Sequence, residues 1–514
     1  MLQIKDLKLI HDKDFRTLID GLTFTVNPGD KIVIIGEEGE GKSTLLKWIY
    51  NPAMIDDYAK AEGECITKGE KIAYLPQELA HEDKGKTVYE FMQEEHLFNE
   101  LNPAELAKIC KDVGLELDFI YSDRLMGTLS GGEKIKVQFA RILSGRPSML
   151  LLDEPSNDID IDTLEWLEDY IAKSQLGILF VSHDETLIER TANRVIHIEQ
   201  LNHKTKPRHT VANIPYRDYV AERLHGFELQ EQQSKWEHRQ QRIAEEKWRR
   251  IYQRVEHEQN VISRGDPAGG RLLKKKMHSV KSQGRRLEKQ KENLTEAPQF
   301  EREINIMFDY TPEIYGGKTV LDMNIPELYA PQSDRLLSKD IRLEVRGSDK
   351  VCIIGKNGAG KTTLIKMIKE ELEHRKDISM AYMPQNYEEL MDANKTPMQF
   401  LEKDGSKEER VMINNRLASL RFTPDDMVRK IGYLSGGQRA KLMLLSLTIS
   451  GADVLILDEP TRNFSPLSGP VIRGMLAGFP GAIISISHDR KFIDEVATKV
   501  YELTPKGLKY GQGK

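Results

Sequence analysis

The chain has 514 residues, too many for one domain at about 150 residues each, so several cores are expected. No run of about 18 apolar residues occurs, which argues against a membrane-spanning helix. Cys65, Cys110 and Cys352 form neither a disulfide framework nor a CxxC metal site, so a reducing cytoplasm is the expected compartment; the net charge of −6 disfavours a polyanion partner only as an average.

The N-terminal MLQIKDLKLI scatters charges through a short strand-like pattern and lacks an apolar export segment. The apolar run IVIIG then leads into Gly36-Glu37-Glu38-Gly39-Glu40-Gly41-Lys42-Ser43-Thr44, which fits GxxxxGK[ST] and is followed by the helical pattern TLLKWI. In such a loop the glycines let backbone N–H groups turn inward, and the following helix adds partial positive charge for phosphates. Lys42 is expected at the β/γ-phosphates and Ser43 at Mg2+. Glu37, Glu38 and Glu40 should repel a triphosphate unless they point to solvent. Downstream come Leu75-Pro76-Gln77, Leu129-Ser130-Gly131-Gly132-Glu133, an apolar strand ending in Leu152-Asp153-Glu154-Pro155, and Ser182-His183-Asp184.

From about Tyr216 to Phe300 the chain is rich in Gln, Glu, Lys and Arg and poor in β-branched residues. Trp236, Ile243, Ile251, Val255 and Ile262 form one apolar stripe. Leu273, Val280, Leu287 and Leu294 recur every seven residues, with Met277 between them. Gly265 to Gly270, Gly-Asp-Pro-Ala-Gly-Gly, is a loop signal between the two stripes. The pattern predicts two long antiparallel helices, the first from about Arg217 to Ile262 and roughly 70 Å long. Residues 261–290 hold nine basic and two acidic side chains, a local +7 that leaves −13 for the rest. Arg264, Arg271, Lys274, Lys275, Lys276, Lys281, Arg285 and Arg286 are therefore candidate RNA contacts, although such a run also suits the solvated face of a coiled coil.

Beyond this segment the earlier motifs return in the same order. VCIIG precedes Gly355-Lys356-Asn357-Gly358-Ala359-Gly360-Lys361-Thr362-Thr363, with Lys361 and Thr362 in the roles of Lys42 and Ser43. Met383-Pro384-Gln385, Leu434-Ser435-Gly436-Gly437-Gln438, Leu457-Asp458-Glu459-Pro460 and Ser487-His488-Asp489 follow.

With these motifs in both halves, the chain resembles tandem ATP-binding-cassette proteins. The resemblance implies an α/β architecture of two P-loop ABC ATPase cassettes joined by a long antiparallel helical hairpin. The expected domains are residues 1–205, 206–300 and 301–514. It implies that Asp153 and Asp458 hold Mg2+ and that Glu154 and Glu459 orient and deprotonate the attacking water. Gln77 and Gln385 would sense Mg2+ and the γ-phosphate, and His183 and His488 would contact the γ-phosphate. Each signature would complete the opposite site, Ser435–Gln438 over Lys42 and Ser130–Glu133 over Lys361, so that ATP joins the halves within one monomer. Departures from the pattern are the acids of the first phosphate loop and Ser465, where the first half has Asp160. They imply two unequal sites. Phe15 and Tyr329 are candidates for stacking on adenine or for core packing.

The basic hairpin between two cassettes resembles the ABC-F family of translation-associated ATPases, in particular its antibiotic-resistance branch. That resemblance implies a cytoplasmic ATP hydrolase whose partners are the bacterial ribosome, its rRNA and the P-site tRNA, with no membrane partner. The hairpin tip would approach the peptidyl-transferase centre, and lincosamides, pleuromutilins and streptogramin A would be the drugs. The short Gln77–Leu129 interval leaves no room for the arm insertion of housekeeping members, and an end at Lys514 leaves none for a C-terminal coiled coil. A housekeeping translation factor, a transporter's energising subunit and a DNA-repair ATPase remain the alternatives.

Overall fold

A computed structural model describes residues 1–201, 206–261, 267–292, 307–308, 310, 316–331, 334–420 and 422–511. The chain divides into two compact units, Met1–Arg217 with Glu301–Lys514, and Asp218–Phe300.

The first unit holds two copies of one design. In the first copy the six-stranded sheet runs Ile72–Leu75, Met149–Asp153, Gly177–Val181, Lys31–Ile35, Arg194–Leu201, Lys206–Ala212. The second copy repeats it as Met380–Met383, Val454–Asp458, Ala482–Ile486, Lys350–Ile354, Lys499–Thr504, Gly507–Gly511. All neighbours are parallel except the last pair in each sheet. The central strands KIVII, LLLD and GILFV read as unbroken apolar runs because helices cover both faces of a parallel sheet. An antiparallel sheet, Leu2–His11 between Thr17–Val26 and Ala59–Ile66, seals one face of the first copy. The hairpin Thr319–Tyr329 with Leu336–Arg346 does so in the second. The architecture is the α/β tandem that the motifs implied. The sheet, however, runs past the expected boundary at 205, since Lys206–Ala212 pairs antiparallel with Arg194–Leu201 and belongs to the first cassette.

The two copies meet through ion pairs near His183 and His488. Arg490 Nη1 donates to Glu168 Oε2 at 3.1 Å, Arg473 lies 2.9 Å from Glu185, and Lys491 lies 2.9 and 2.5 Å from Glu185 and Glu189. Glu168 and Arg473 are buried.

The second unit is a pair of helices, Tyr216–Val261 and Pro267–Glu292. The first has 46 residues, about 69 Å of helix. Val255, Met277 and Val280 form its small core, flanked by Trp248 and Tyr252. Trp248 Nε1 donates to the Val280 carbonyl at 2.8 Å, and Gln241 Nε2 to that of Leu287 at 2.9 Å, which fixes an antiparallel register. A Cβ on Gly284 would stand 2.8 Å from Trp248 Cζ2, so this glycine sets the close approach. The expected first stripe is only partly used: Val255 is buried, whereas Trp236, Ile243 and Ile251 are exposed. Pro267 to Gly270 open the second helix instead of forming a loop, Pro being well suited to a first turn whose N–H groups lack helix partners. Ile262, Arg264, Gly265, Asp266 and Leu294 lie outside the described residues.

Candidate functional site

Each phosphate loop turns from the strand Lys31–Ile35 or Lys350–Ile354 into a helix, Lys42–Tyr50 or Lys361–Glu373. The residue before each helix is Gly41 or Gly360, at φ +95° and +99°, a left-handed cap that a side chain would strain. Lys42 Nζ donates to the carbonyls of Gly36 and Glu37 at 2.9 and 2.8 Å, and Lys361 Nζ to those of Gly355 and Lys356 at 2.7 and 3.1 Å. Both ammonium groups thus stand folded over their own loops.

The acidic residues sit at the ends of the strands Met149–Asp153 and Val454–Asp458. Asp153 accepts from Ser43 Oγ at 2.8 Å and from Tyr74 OH at 3.0 Å. Burial, opposed by the Ser43 hydrogen bond, raises its carboxyl above the usual range. Asp458 is pushed to about 6, first by burial, and its Oδ2 is buried without a hydrogen-bond partner. An orphaned carboxylate oxygen beside the Thr362 hydroxyl fits a hard divalent cation whose remaining ligands come from phosphate and water. Among the described residues no group of three His, Cys, Asp or Glu side chains makes a metal site by itself.

Glu154 and Glu459 follow at φ +49° and +54°. Non-glycine residues held there store backbone strain, a recurrent property of functional sites. Glu154 receives Gln77 Nε2 at 3.0 Å and Asn157 Nδ2 at 2.6 Å, with His183 Nε2 at 3.2 Å. Burial works against its charge, but His183, Lys42 and Asn157 prevail and hold it at about 2. Glu459 has weaker support: His488 Nε2 is 3.8 Å away, and the His488 backbone N–H donates at 3.3 Å. Burial and the neighbouring Asp458 raise Glu459 to about 8, and burial beside Lys361 lowers His488 to about 4. The two carboxyls are unequal.

The signature segments start the helices Gly131–Ser144 and Gly436–Thr448. Ser130 and Ser435 form capping boxes with Glu133 and Gln438, accepting at Oγ from the Glu133 and Gln438 N–H groups at 3.3 and 3.2 Å. A cavity of about 1290 Å³ brings Ser130–Glu133 together with Lys361–Thr363, Gln385, Asp458, Glu459 and His488. This groups the first signature with the second phosphate loop. Across the same boundary Asn357 Nδ2 donates to the Asp158 carbonyl at 2.6 Å. A Cβ on Gly131 would lie 1.8 Å from that carbonyl oxygen, so only glycine admits it. In the other half, Gly437 N–H donates to Glu38 and Lys441 Nζ to Glu37 Oε1 at 2.7 Å.

Several partners were not visible as motifs: Tyr74 on Asp153, Arg462 on Asp158 at 2.9 Å, and Lys441 on Glu37. Asp160 N-caps the helix Ile161–Lys173, whereas its counterpart Ser465 bonds Ser468 Oγ at 3.2 Å and the following helix starts only at Gly469. Phe15 is 79% exposed, and Tyr329 is 45% exposed with its hydroxyl on Glu327. Neither packs in the core; Ala330, Pro331 and Arg335 line the cavity instead. In the helical unit Arg271, Lys274, Lys275, Lys276, Lys281, Arg285 and Arg286 are all exposed.

A family model described as "ABC transporter" matches residues 19–157 and 338–462. The ribosome protection protein VmlR of Bacillus subtilis is 28% identical over 501 residues, spanning 96% of this chain and 85% of the relative. ABC transporter F family member 2 of Arabidopsis thaliana is 28% identical over 545 residues, 96% of this chain and 75% of its own. ATP-binding protein Uup of Buchnera aphidicola is 28% identical over 510 residues, covering 96% and 78%. Among solved structures, an archaeal ribosome recycling factor bound to a ribosomal stalk protein superposes with a TM-score of 0.59 at 17% identity, over 98% of this chain and 89% of that one; it bears on the fold alone.

Proposed function

The chain belongs to the ABC transporter family of ATP-binding ATPases, and from that premise we propose that it is a cytoplasmic ribosome-protection ATPase. ATP-driven closure of the cassettes would favour ribosome binding, and hydrolysis would permit release. The observation that carries the reading is the helix Pro267–Glu292, whose nine exposed cations lie between two cassettes in the chain. Such a surface is suited to RNA phosphates, whose neutralisation releases counterions. The hairpin would reach toward the peptidyl-transferase centre and P-site tRNA, relieving lincosamides, pleuromutilins or streptogramin A. The named activity of the Bacillus subtilis relative supports this choice.

At the Lys361 half-site, Asp458, Thr362 and Gln385 are the residues to hold Mg2+, which when bound would neutralise phosphate charge. Lys361 and the loop N–H groups hold the phosphates, and the first signature helix N-terminus completes the pocket. Glu459 orients the attacking water and accepts its proton. His488, kept neutral by burial beside Lys361, contacts the γ-phosphate in this reading.

A housekeeping translation role is the second reading, favoured by equal identity to Uup. Co-sedimentation with ribosomes in ATP, using Glu154→Gln/Glu459→Gln, tests the ribosome partner. Trapping that falls steeply with salt and is lost when the basic residues of 271–286 are neutralised supports it. Absence of trapping in a variant that still closes on ATP refutes it. Drug protection by trapped protein, against none, then separates the two readings.

A further inference from the structure

The half-site built on Lys42 is chemically unlike the one built on Lys361. Glu38 stands where the second loop has Asn357, and its carboxylate accepts from the Gly437 N–H at the start of the helix Gly436–Thr448. A Cβ on Gly436 would be 2.8 Å from Glu38 Oε2, so the carboxylate lies directly on the first turn. That helix end offers partial positive charge and unpaired N–H groups to an anion, and the chain itself supplies one. Beside it Glu37 Oε1 pairs with Lys441 Nζ at 2.7 Å, on a lysine only 8% exposed. The pair has no equivalent in the other half. There the loop carries Lys356, 3.6 Å from Asp162, and Lys136, the counterpart of Lys441, lies over the Trp166 ring.

The loop interior is acidic as well. Glu40 is 6% exposed and accepts from the N–H groups of Glu37 and Gln200 at 2.5 and 3.0 Å, where the second loop has Ala359. From the outside Arg16 Nη2 donates to the Gly39 carbonyl at 3.0 Å. A triphosphate entering here would have to displace Glu38 from Gly437 and settle among three carboxylates. The 1290 Å³ cavity lies on the other half.

We propose that the Lys42 half-site is latched by its own carboxylates, Glu37 and Glu38, against the second signature helix, so that the chain binds a single nucleoside triphosphate, at Lys361. One edge of the cassette pair then stays joined without nucleotide, while the other opens and closes with ATP. The inference concerns nucleotide binding alone and stands or falls separately from the ribosome partner.

The test is the stoichiometry of β,γ-imido-ATP with Mg2+ on the full chain, by equilibrium dialysis. One equivalent is expected, abolished altogether in Lys361→Ala. Two equivalents on the unaltered chain, or one retained in Lys361→Ala, overturn the proposal. Glu37→Gln/Glu38→Asn should raise the count from one to two. A folded double variant that still takes one also overturns the latch as the cause. Should that variant fail to fold, the Lys361→Ala count still decides.

Discussion

His183 Nδ1 of the first cassette lies 2.6 Å from the Phe464 carbonyl oxygen of the second. A carbonyl only accepts, so Nδ1 carries a proton, while Nε2 lies 3.2 Å from Glu154 Oε1. This histidine ties the two cassettes together. His488 has no such tie, and its Nδ1 is buried without a partner. If turnover resides at the Lys361 half-site, His488→Ala should lower kcat by about 10²-fold or more, the usual range for a lost hydrogen-bond donor to charge developing in the transition state. His183→Ala should lower it far less and instead weaken cassette closure. Steady-state ATPase assays on both variants check this ordering.

Gly131→Ala places a methyl group where the Asp158 carbonyl now sits. The cassettes should still fold, but the Lys361 side should not close. Fluorescence transfer between dyes on the two cassettes should lose its ATP response, and ATPase should fall at least about tenfold, or ~1.4 kcal/mol in barrier.

Asp184 N-caps the helix Glu185–Thr191 and is raised from 3.8 to about 6, mainly by burial. Its folded form binds the proton more tightly than the unfolded form. This group's contribution to stability is therefore complete below about pH 4 and is lost as pH rises through about 6. Asp184→Asn removes the titration and keeps a good cap. Its unfolding free energy relative to that of the unaltered chain should be greater at pH 7 than at pH 4, by on the order of 3 kcal/mol, as denaturant titrations at the two pH values would read. A difference that does not vary with pH would contradict this.

Gly284→Ala drives a methyl into Trp248. Overpacking of this kind costs about 1–3 kcal/mol. Hydrogen exchange should quicken around Trp248 and Val280, with the cassette sheets unaffected.

The cassette fold was legible because its signals are contiguous: a glycine loop after an apolar strand, a capped signature helix, an Asp-Glu pair at a strand end. The partners of those residues were not. Nothing in the spacing of Glu37 or Asn357 says that one meets Lys441 and the other the Asp158 carbonyl, since both meetings depend on how two distant surfaces face each other. The hairpin shows the same limit. Its two helices were readable, but Trp248 and Tyr252, rather than Ile251 and Ile243, flank the seam, because an aromatic with a donor can also bond a backbone carbonyl. The expected RNA contact Arg264 falls outside the described residues.

Glu168 and Arg473 occupy equivalent places in the two cassettes, as do Glu185 and Arg490, each offset by 305 positions like Asp153 and Asp458. Glu168 meets Arg490, and Glu185 meets Arg473. Both acids belong to one cassette and both bases to the other. Two first cassettes brought together in this way would set carboxylate against carboxylate twice, and two second cassettes guanidinium against guanidinium twice. Burial makes such mismatches severe. The duplicated halves therefore carry a handshake whose charges match only between unlike copies, and pairing of like cassettes from neighbouring chains is discouraged by charge before any nucleotide arrives.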